Sequence, residues 1–384
     1  MTEPILVYFN GTFVNRENGA QARVAELLSF VIATGRPVIV YSYYEHPSCP
    51  WRQDDIERFR SAYPNVELVL DHRSRLFRLI TLLKMRLIAL MPRLGARLLS
   101  LRLIALTPAY DRLRTDYPNI STFVNYAHGL AELNGVDPSE AIVETHDINF
   151  VNAAKSLHRR LTAAKTTLSA RMEMELLGLA GSLIAIAPPE AGLFRLFYPD
   201  MPIYLIPAYQ LPRPEVGEDE VLYDILFVGS ENTLNVDGLC DFVADHYAWL
   251  SCRTMAIVGR VSSVERVREA VADLPKVELL GYVEDLTTLM RRCCFLISPV
   301  DGTGLKIKAL EAFATGLPVF GSTITLAGLP QGYEDCAFQI EQRAMEDLIV
   351  DRARRRRAQE AALLYASKIV VNDDLDRLKR LLSR

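Results

Sequence analysis

The sequence lacks several patterns that would place it in other classes of protein. Its net charge is −4 over 384 residues, so no overall positive charge favours a nucleic-acid partner. Its six cysteines have no metal-ligand spacing and indicate reduced thiols in a cytoplasmic protein. No G-x-G-x-x-G follows the first predicted strand, which argues against a dinucleotide oxidoreductase. The start of the chain has no signal-peptide pattern, and no uncharged run reaches the roughly 18–20 residues that cross a bilayer.

One segment carries charge of almost a single sign. From His72 to Arg114 nearly all charged side chains are basic, and Leu, Ile, Phe and Met separate them. Helices of this composition suit an anionic membrane surface, which predicts peripheral association at the inner face of the membrane. The alternative is a set of core helices whose arginines extend to solvent. A second basic run, residues 352–357, favours a solvated helix face over a nucleic-acid site.

Strands alternate with helices along the chain, which predicts an α/β protein with parallel sheets covered by helices on both faces. Two such halves flank a stretch rich in proline and acidic residues at about 207–220, the best candidate for a linker. The predicted domains are residues 1–207, with the basic apolar insert at about 72–115, and residues 208–365. Residues 366–384 are predicted to form an amphipathic last helix.

The most informative stretch is residues 299–329, P-V-D-G-T-G-L-K-I-K-A-L-E-A-F-A-T-G-L-P-V-F-G-S-T-I-T-L-A-G-L. It predicts a strand–helix–strand unit with a glycine-rich turn before the helix. Gly302 and Gly304 allow the backbone to turn tightly and to approach a ligand. The helix is expected to begin near Leu305 and to end before Gly316, with Pro318 beyond it.

The charged residues of this stretch indicate a ligand with phosphate groups. Backbone N–H groups at a helix start, with Lys306 and Lys308 beside them, suit a phosphate or a pyrophosphate. Glu311 lies three residues after Lys308 on the same helix face, where its carboxylate could accept hydrogen bonds from ribose hydroxyls. Together these features predict a site for a nucleoside diphosphate.

Several segments resemble the GT-B glycosyltransferases, specifically the broad glycosyltransferase 4/1-like group. In the second half they are F-V-G-S-E-N-T-L-N-V-D-G-L-C-D-F, M-A-I-V-G-R, V-E-L-L-G-Y-V-E-D-L and residues 299–329. In the first half they are E-N-G-A-Q-A-R-V-A-E-L-L and E-T-H-D. The resemblance implies two Rossmann-like domains that face a cleft, with the last helix crossing back to the N-terminal domain.

The resemblance also implies a function. The C-terminal domain would bind a UDP- or GDP-linked sugar as donor, and the N-terminal domain would bind a glycan or lipid-linked acceptor, as in surface-polysaccharide biosynthesis. Such enzymes generally need no catalytic metal or other cofactor, and no D-x-D motif of the metal-dependent type stands at a strand end in this sequence.

The resemblance assigns donor-binding roles residue by residue. Glu311 would hold the ribose, although an ion pair with Lys308 within the helix is the alternative. Lys306 and Lys308 would lie near the phosphates, although one of them is expected to face solvent because residues two apart on a helix point to different sides. The further donor-binding residues are Gly19, Gly229, Ser230, Arg260, Tyr282, Val283, Gly302, Thr303 and Gly304. The alternative for Gly19 is a simple N-terminal turn, and the alternative for Arg260 is an exposed loop arginine.

His146 and Asp147 are the predicted catalytic residues. They follow an apolar strand in E-T-H-D, where several members of the group place an active-site histidine. A histidine there can accept or donate a proton near neutral pH, and Asp147 could orient it or act as the base. The alternative is a polar pair at a strand end, and His128 in N-Y-A-H-G is the rival histidine.

Two departures from the group leave other functions open. Thr303 stands where many members carry a first glutamate, and Ser230 and Asp237 lie in the stretch where many carry an Arg and a Lys. A catalytically silent partner subunit, or a nucleotide-sugar epimerase on the same scaffold, is therefore an alternative to a glycosyltransferase.

Overall fold

The computed structural model describes residues 3–16, 19–102, 106–156, 163–207, 220–370 and 372–382. The chain divides into two compact units. The first comprises Met1–Ile186, Glu190–Ile206 and Asp373–Arg384, and the second comprises Ala187–Pro189 and Pro207–Asn372. The predicted linker at about 207–220 lies outside the described residues apart from its two end positions.

The first unit is built on a seven-stranded sheet in which all paired strands are parallel. The inner strands are apolar runs such as I-L-V-Y, because helices cover both faces of a parallel sheet and bury every side chain. In chain order the strands are β1 (Ile5–Tyr8), β2 (Val38–Tyr43), β3 (Val66–Asp71), β4 (Ser121–Asn125), β5 (Ala141–Glu144), β6 (Ser182–Ala185) and β7 (Ile203–Leu205). Their order in the sheet is β3-β2-β1-β4-β5-β6-β7.

Helices connect these strands, and the predicted basic segment forms three of them. None of the helices in the described ranges combines the length and the apolarity that are needed to cross a bilayer. The helices are α1 (Gly19–Ile32), α2 (Gln53–Ala62), α3 (Arg75–Leu90), α4 (Gly95–Ser100), α5 (Pro108–Asp116), α6 (Gly129–Glu132), α7 (Asn149–Ser156), α8 (Ala163–Leu177) and α9 (Pro188–Phe197), with 3₁₀ turns at Pro92–Leu94 and Pro138–Glu140.

The second unit has a six-stranded sheet, again with all paired strands parallel. Its strands are β8 (Tyr223–Val228), β9 (Met255–Val258), β10 (Val277–Gly281), β11 (Cys293–Ser298), β12 (Val319–Gly321) and β13 (Ala337–Gln339), in the order β10-β9-β8-β11-β12-β13. Its helices are α10 (Thr233–Asp245), α11 (Tyr247–Leu250), α12 (Glu265–Val271), α13 (Leu286–Arg291), α14 (Ile307–Ala314), α15 (Thr323–Ala327), α16 (Gln342–Val350) and α17 (Arg352–Val370), with a 3₁₀ turn at Arg260–Ser263. The prediction of two α/β domains with parallel sheets is confirmed.

The last helix, α18 (Asp373–Leu382), belongs to the first unit. Its side chains Leu375, Leu378 and Leu382 are buried at helical spacing. The backbone N–H of Leu205 donates a 2.9 Å hydrogen bond to the Asp374 carboxylate, which ties the helix to β7. Acidic residues in its first turn and basic residues in its last turn complement the helix dipole.

Candidate functional site

The strands β8 and β11 are neighbours in the second sheet, and the strands that follow them lie on opposite sides. The carboxyl ends of β8 and β11 therefore form a switch point, where open α/β sheets bind ligands. Gly229 follows β8 directly, and residues 299–306 follow β11. Helix α10 packs closely on this loop, since a Cβ atom on Gly238 would lie 2.3 Å from the Pro299 carbonyl oxygen. The structure thus brings together two segments that the sequence assigned to donor binding.

Lys306 holds the glycine-rich loop in shape. Its Nζ donates hydrogen bonds to the carbonyl oxygens of Gly302 at 2.7 Å, Thr303 at 2.8 Å and Gly304 at 3.4 Å. Gly304 has φ +78°, in the left-handed region that glycine adopts without strain. One ammonium group thereby offsets the partial negative charge of three carbonyl groups in the loop. Its predicted place near the donor phosphates stays a prediction, while its structural contacts are with the loop itself.

Glu311 and Lys308 lie on one face of α14, the helix after this loop. The helix begins at Ile307, two residues later than the predicted start at Leu305, because Lys306 still has an extended backbone conformation. Lys308 Nζ lies 2.6 Å from Glu311 Oε2, so the pairing that the sequence left as an alternative is present. Both side chains keep solvent access, with exposed fractions of 41% and 22%. A ligand could therefore still reach the carboxylate.

Arg260 lies at the same edge of the sheet, after β9. Its guanidinium Nε lies 2.8 Å from Glu231 Oε2, and about half of each side chain is exposed. The chain approaches closely here: Gly259 has φ +96°, and a Cβ atom on it would lie 2.3 Å from the Gly229 carbonyl oxygen. A phosphate near Arg260 would have to compete with the Glu231 carboxylate.

Ser230 is used within its own loop. Its hydroxyl oxygen accepts hydrogen bonds from the side-chain amides of Asn232 and Asn235, both at 3.2 Å. Asn232 also caps α10, because its side chain accepts a 2.8 Å hydrogen bond from the backbone N–H of Asn235. Asp237 on the same helix forms an ion pair with Arg266.

Tyr282 and Val283 follow β10, the edge strand farthest from β11 on that side of the sheet. Tyr282 is 87% exposed, so its ring is open to a stacking partner. Gly281 before it has φ +66°, which turns the chain at the end of the strand. In the described part of the chain, no group of three or more His, Cys, Asp or Glu side chains is placed to hold a metal ion.

In the first unit, the predicted catalytic histidine forms a three-residue chain of contacts. His146 Nε2 lies 2.8 Å from Asn125 Oδ1. The Asn125 side-chain amide in turn donates a 2.8 Å hydrogen bond to the carbonyl oxygen of Tyr8. Asn125 and Tyr8 are the last residues of β4 and β1, and His146 lies two residues after the end of β5. The strands β1 and β4 flank the switch point of this sheet. The Tyr126 ring stacks on the His146 ring with centroids 4.3 Å apart, and His128 stacks on Tyr126 at 5.4 Å.

The surroundings of His146 keep its imidazole neutral. Burial, and to a lesser extent the positive charge of Arg23 and the neighbouring His128, together lower its pKa to about 3. A neutral imidazole has no proton to give as an acid at neutral pH, and a pKa this low also makes it a weak base. The predicted role in proton transfer is therefore disfavoured, and a neutral ring that takes part in hydrogen bonds is favoured. Asp147 is the next residue in the chain, and its backbone N–H donates a 2.6 Å hydrogen bond to the Thr145 carbonyl oxygen. Its predicted role as orienting group or base stays a prediction.

A buried ion pair includes Glu144, two residues before His146 in the chain. Arg23 on α1 and Glu144 at the end of β5 have no exposed side-chain surface, and Arg23 Nε lies 3.1 Å from Glu144 Oε1. Arg23 also donates a 2.6 Å hydrogen bond to the carbonyl oxygen of Ile206, which follows β7 directly. Burial raises the pKa of Glu144 above its usual value, although the positive charge of Arg23 acts in the opposite direction. Neither residue was predicted to have a role, although a carboxylate that ends an apolar strand was a usable signal.

A second polar cluster was also missed. The buried carboxylate of Glu132 on α6 pairs with Arg73 and accepts hydrogen bonds from the hydroxyl of Tyr8 and, at 3.3 Å, from the side-chain amide of Asn10. The Tyr43 hydroxyl donates to the backbone carbonyl of Glu132 at 2.6 Å. Arg73, which the sequence placed in the basic segment, therefore faces the interior of the unit.

Gly19, predicted to close over the pyrophosphate, is the first residue of α1.

Comparisons with known proteins identify the fold and a matching family model. Residues 223–353 match the family model described as Glycosyl transferases group 1. No curated protein matches the sequence. Sucrose-phosphate synthase from Thermosynechococcus elongatus is similar in structure, with TM-score 0.67 and 15% identity over 99% of this chain and 98% of that chain. WaaG, a glycosyltransferase involved in lipopolysaccharide biosynthesis, has TM-score 0.62 and 16% identity over 98% and 99%.

A mutant of S. aureus TarM, solved with fondaparinux, alpha-GlcNAc-glycerol and UDP, has TM-score 0.64 and 10% identity over the whole of both chains. At these identities the likeness to solved structures establishes the fold. The chain thus has the GT-B glycosyltransferase fold. The match to the Glycosyl transferases group 1 model lies within its second unit.

Proposed function

We propose that the protein transfers a sugar from a UDP- or GDP-linked donor to a hydroxyl group of a glycan or lipid-linked acceptor. The observation that supports this most directly is the switch point of the second unit. There the glycine-rich loop leads into α14, which carries Lys308 and Glu311. Both the loop and the helix lie in the residues that match the group 1 family model. Of the similar proteins, the TarM mutant was solved with UDP and WaaG is involved in lipopolysaccharide biosynthesis, which are compatible with a nucleotide donor and a surface-polysaccharide product.

The chemistry would depend on positioning. Glu311 would accept hydrogen bonds from the ribose, and Lys308 and Arg260 would approach the diphosphate once each exchanges its carboxylate partner for the ligand. Gly302, Thr303 and Gly304 would lie under the sugar diphosphate, while Lys306 keeps their backbone in place. Holding donor and acceptor in line and stabilising the departing diphosphate would supply most of the rate acceleration. We propose that no metal ion is needed.

Helix α3 supports a position at a membrane surface. Its inner face is buried through Phe77, Thr81, Lys84 and Ile88, and the Lys84 ammonium bonds the Leu101 carbonyl oxygen at 3.1 Å. Its outer face, defined here as Leu76, Leu79, Leu83 and Leu90, is 54–64% exposed. Arg75, Arg78 and Arg86 are exposed on the same helix. Apolar side chains flanked by arginines suit the interface of an anionic bilayer, so we propose peripheral association.

A screen of nucleotide sugars tests the proposed function. Purified protein is incubated with UDP- and GDP-linked hexoses, with and without a mixture of glycan and lipid-linked acceptors, and release of nucleoside diphosphate is measured. We expect release with one donor, accelerated by an acceptor. Conversion of the donor sugar without release would instead indicate an epimerase. Absence of both reactions and of nucleotide binding would indicate a silent partner subunit.

A further inference from the structure

The hydrogen bonds around Asn125 determine which way its side chain points. Its Nδ2 lies 2.8 Å from the carbonyl oxygen of Tyr8, and a carbonyl oxygen can only accept a hydrogen bond. The side-chain oxygen of Asn125 must therefore face His146. Because that oxygen is itself only an acceptor, the Nε2 atom of His146, 2.8 Å away, must carry the hydrogen. The geometry leaves one tautomer for a neutral His146, with hydrogen on Nε2 and a lone pair on Nδ1.

The other side of the ring is left for a ligand. Among the described residues, none donates a hydrogen bond to His146 Nδ1. His146 has φ +55° and lies at the centre of a three-residue turn closed by the Asp147 N–H and the Thr145 carbonyl oxygen. A left-handed backbone is rare for histidine and is typical of functional sites that the surrounding structure holds in place. Stacking on Tyr126 fixes the plane of the ring.

We infer that Asn125 is a positioning residue that fixes the tautomer of His146, so that Nδ1 accepts a hydrogen bond from a hydroxyl group of the substrate. This inference rests on the proposed transfer to a hydroxyl acceptor. In the first unit, Nδ1 of His146 is then a hydrogen-bond acceptor. The site therefore selects a ligand that donates a hydrogen bond, such as the hydroxyl group of a sugar or a polyol. Asn125 contacts His146 and Tyr8, and acts through the histidine.

The charged and titratable groups around the ring agree with this role. Arg23 on α1 and His128 both disfavour a charged imidazole, and burial disfavours it most. The Glu144 carboxylate on β5 is engaged by Arg23, and Asp147 follows the histidine directly. A neutral ring with a stable tautomer orients a hydroxyl without changing its own protonation state. No proton transfer to His146 is therefore part of the inference.

Heteronuclear NMR of protein with nitrogen-labelled histidine tests the inference without any turnover. Two-bond proton–nitrogen correlations distinguish the two neutral tautomers, and we expect the Nε2–H pattern for His146 at neutral pH. In Asn125→Ala the acceptor is lost, so we expect a mixture of tautomers. In Asn125→Asp the carboxylate still accepts from Nε2–H, so we expect the Nε2–H tautomer together with a higher His146 pKa. Asn134→Ala, at another buried asparagine of the first unit, serves as control and should leave the pattern unchanged.

The inference is overturned if wild-type His146 shows the Nδ1–H pattern, or if Asn125→Ala keeps a pure Nε2–H tautomer. The wild-type measurement decides this even if a variant fails to fold. Once a donor and an acceptor are known, Asn125→Ala should lower kcat/KM for the acceptor by about tenfold, the effect of one lost hydrogen bond, and leave nucleotide affinity unchanged. Failure of the proposed function would appear separately, as absence of transfer by the wild type with the expected tautomer still present.

Discussion

The guanidinium group of Arg23 lies 3.1 Å from the carboxylate of Glu144, and neither side chain is exposed to solvent. The pair joins α1 to the end of β5, two residues before His146. Arg23 also bonds Glu26 at 3.0 Å and the Ile206 carbonyl oxygen at 2.6 Å, so its charge is satisfied in the interior. The relationship connects the helix that begins at Gly19 with the histidine turn.

Removing one partner of this pair should destabilise the first unit strongly. Arg23→Met leaves the Glu144 carboxylate buried without a counter-charge, and we expect a loss of about 3–5 kcal/mol in the free energy of unfolding. In the double variant Arg23→Met/Glu144→Leu no buried charge remains, so much of that loss should be recovered. Urea denaturation of the single and double variants measures both values. Equal stability of Arg23→Met and the wild type would contradict a buried charge pair.

Stability at acid pH should depend on His146. Its pKa is about 3 in the folded protein, against about 6.5 for an unperturbed histidine. Between these values the unfolded chain binds the additional proton, so stability falls as the pH falls, by up to about 1.4 kcal/mol per pH unit. The contribution of a neutral His146 is complete above about pH 6.5 and is lost as the pH falls toward 3.

The variant His146→Gln lacks this titration. We expect the difference in unfolding free energy between wild type and variant to shrink or reverse as the pH is lowered from 7 to about 4. Carboxylates that titrate in the same range are common to both proteins and cancel in the difference. Parallel pH profiles of the two proteins would show that His146 is not held neutral by burial.

A methyl group at Gly238 should disturb the loop after β11. In Gly238→Ala the added Cβ atom would lie 2.3 Å from the Pro299 carbonyl oxygen, so α10 or the loop must move. We expect destabilisation of about 1–3 kcal/mol and weaker nucleotide binding. Gly192→Ala on α9 is the matched control, since a Cβ atom there meets nothing within 4 Å and alanine favours the helix. Thermal unfolding of both variants checks the difference, and equal effects would contradict the close approach.

Membrane association should depend on the outer face of α3. Co-sedimentation with vesicles that contain an anionic phospholipid should fall several-fold in Leu76→Ser/Leu79→Ser/Leu83→Ser, because the apolar side chains that would enter the interface are lost. Arg75→Gln/Arg78→Gln/Arg86→Gln should bind less at low salt.

The control for charge is Arg352→Gln/Arg356→Gln/Arg357→Gln, which removes the same charge from exposed positions on α17. It should bind the vesicles like the wild type. An equal loss of binding in this control would mean that net charge, and not α3, is responsible. Absence of the wild type from the vesicle pellet would exclude the proposed association.

Most of the fold could be predicted because its elements are local patterns. The strands of both sheets are short apolar runs between turn residues, and Gly316 with φ +79° ends α14 as predicted. The start of α14 was wrong by two residues because Lys306 folds back onto the carbonyl groups of its own loop, which spacing alone does not reveal.

The same distinction between local sequence patterns and contacts that form only in the fold applies to the candidate sites. Residues 299–311 could be assigned because the glycines, lysines and glutamate are neighbours in sequence. The pairs Arg23–Glu144 and Arg73–Glu132 join positions 121 and 59 residues apart, so only the folded chain shows that they are partners. The direction of the Asn125 side chain is likewise a property of three strand ends that meet in the sheet.

Binding of nucleoside diphosphates to the second unit tests the central claim most directly. Isothermal titration of UDP and GDP into wild type, Glu311→Ala and the control Glu360→Ala, an exposed glutamate on α17, separates the site from a general loss of charge. We predict that one nucleotide binds the wild type and Glu360→Ala equally, and binds Glu311→Ala roughly ten- to a hundredfold more weakly, the effect of hydrogen bonds to a charged group. Binding of neither nucleotide to the wild type, or equal affinity in Glu311→Ala, would contradict the assignment.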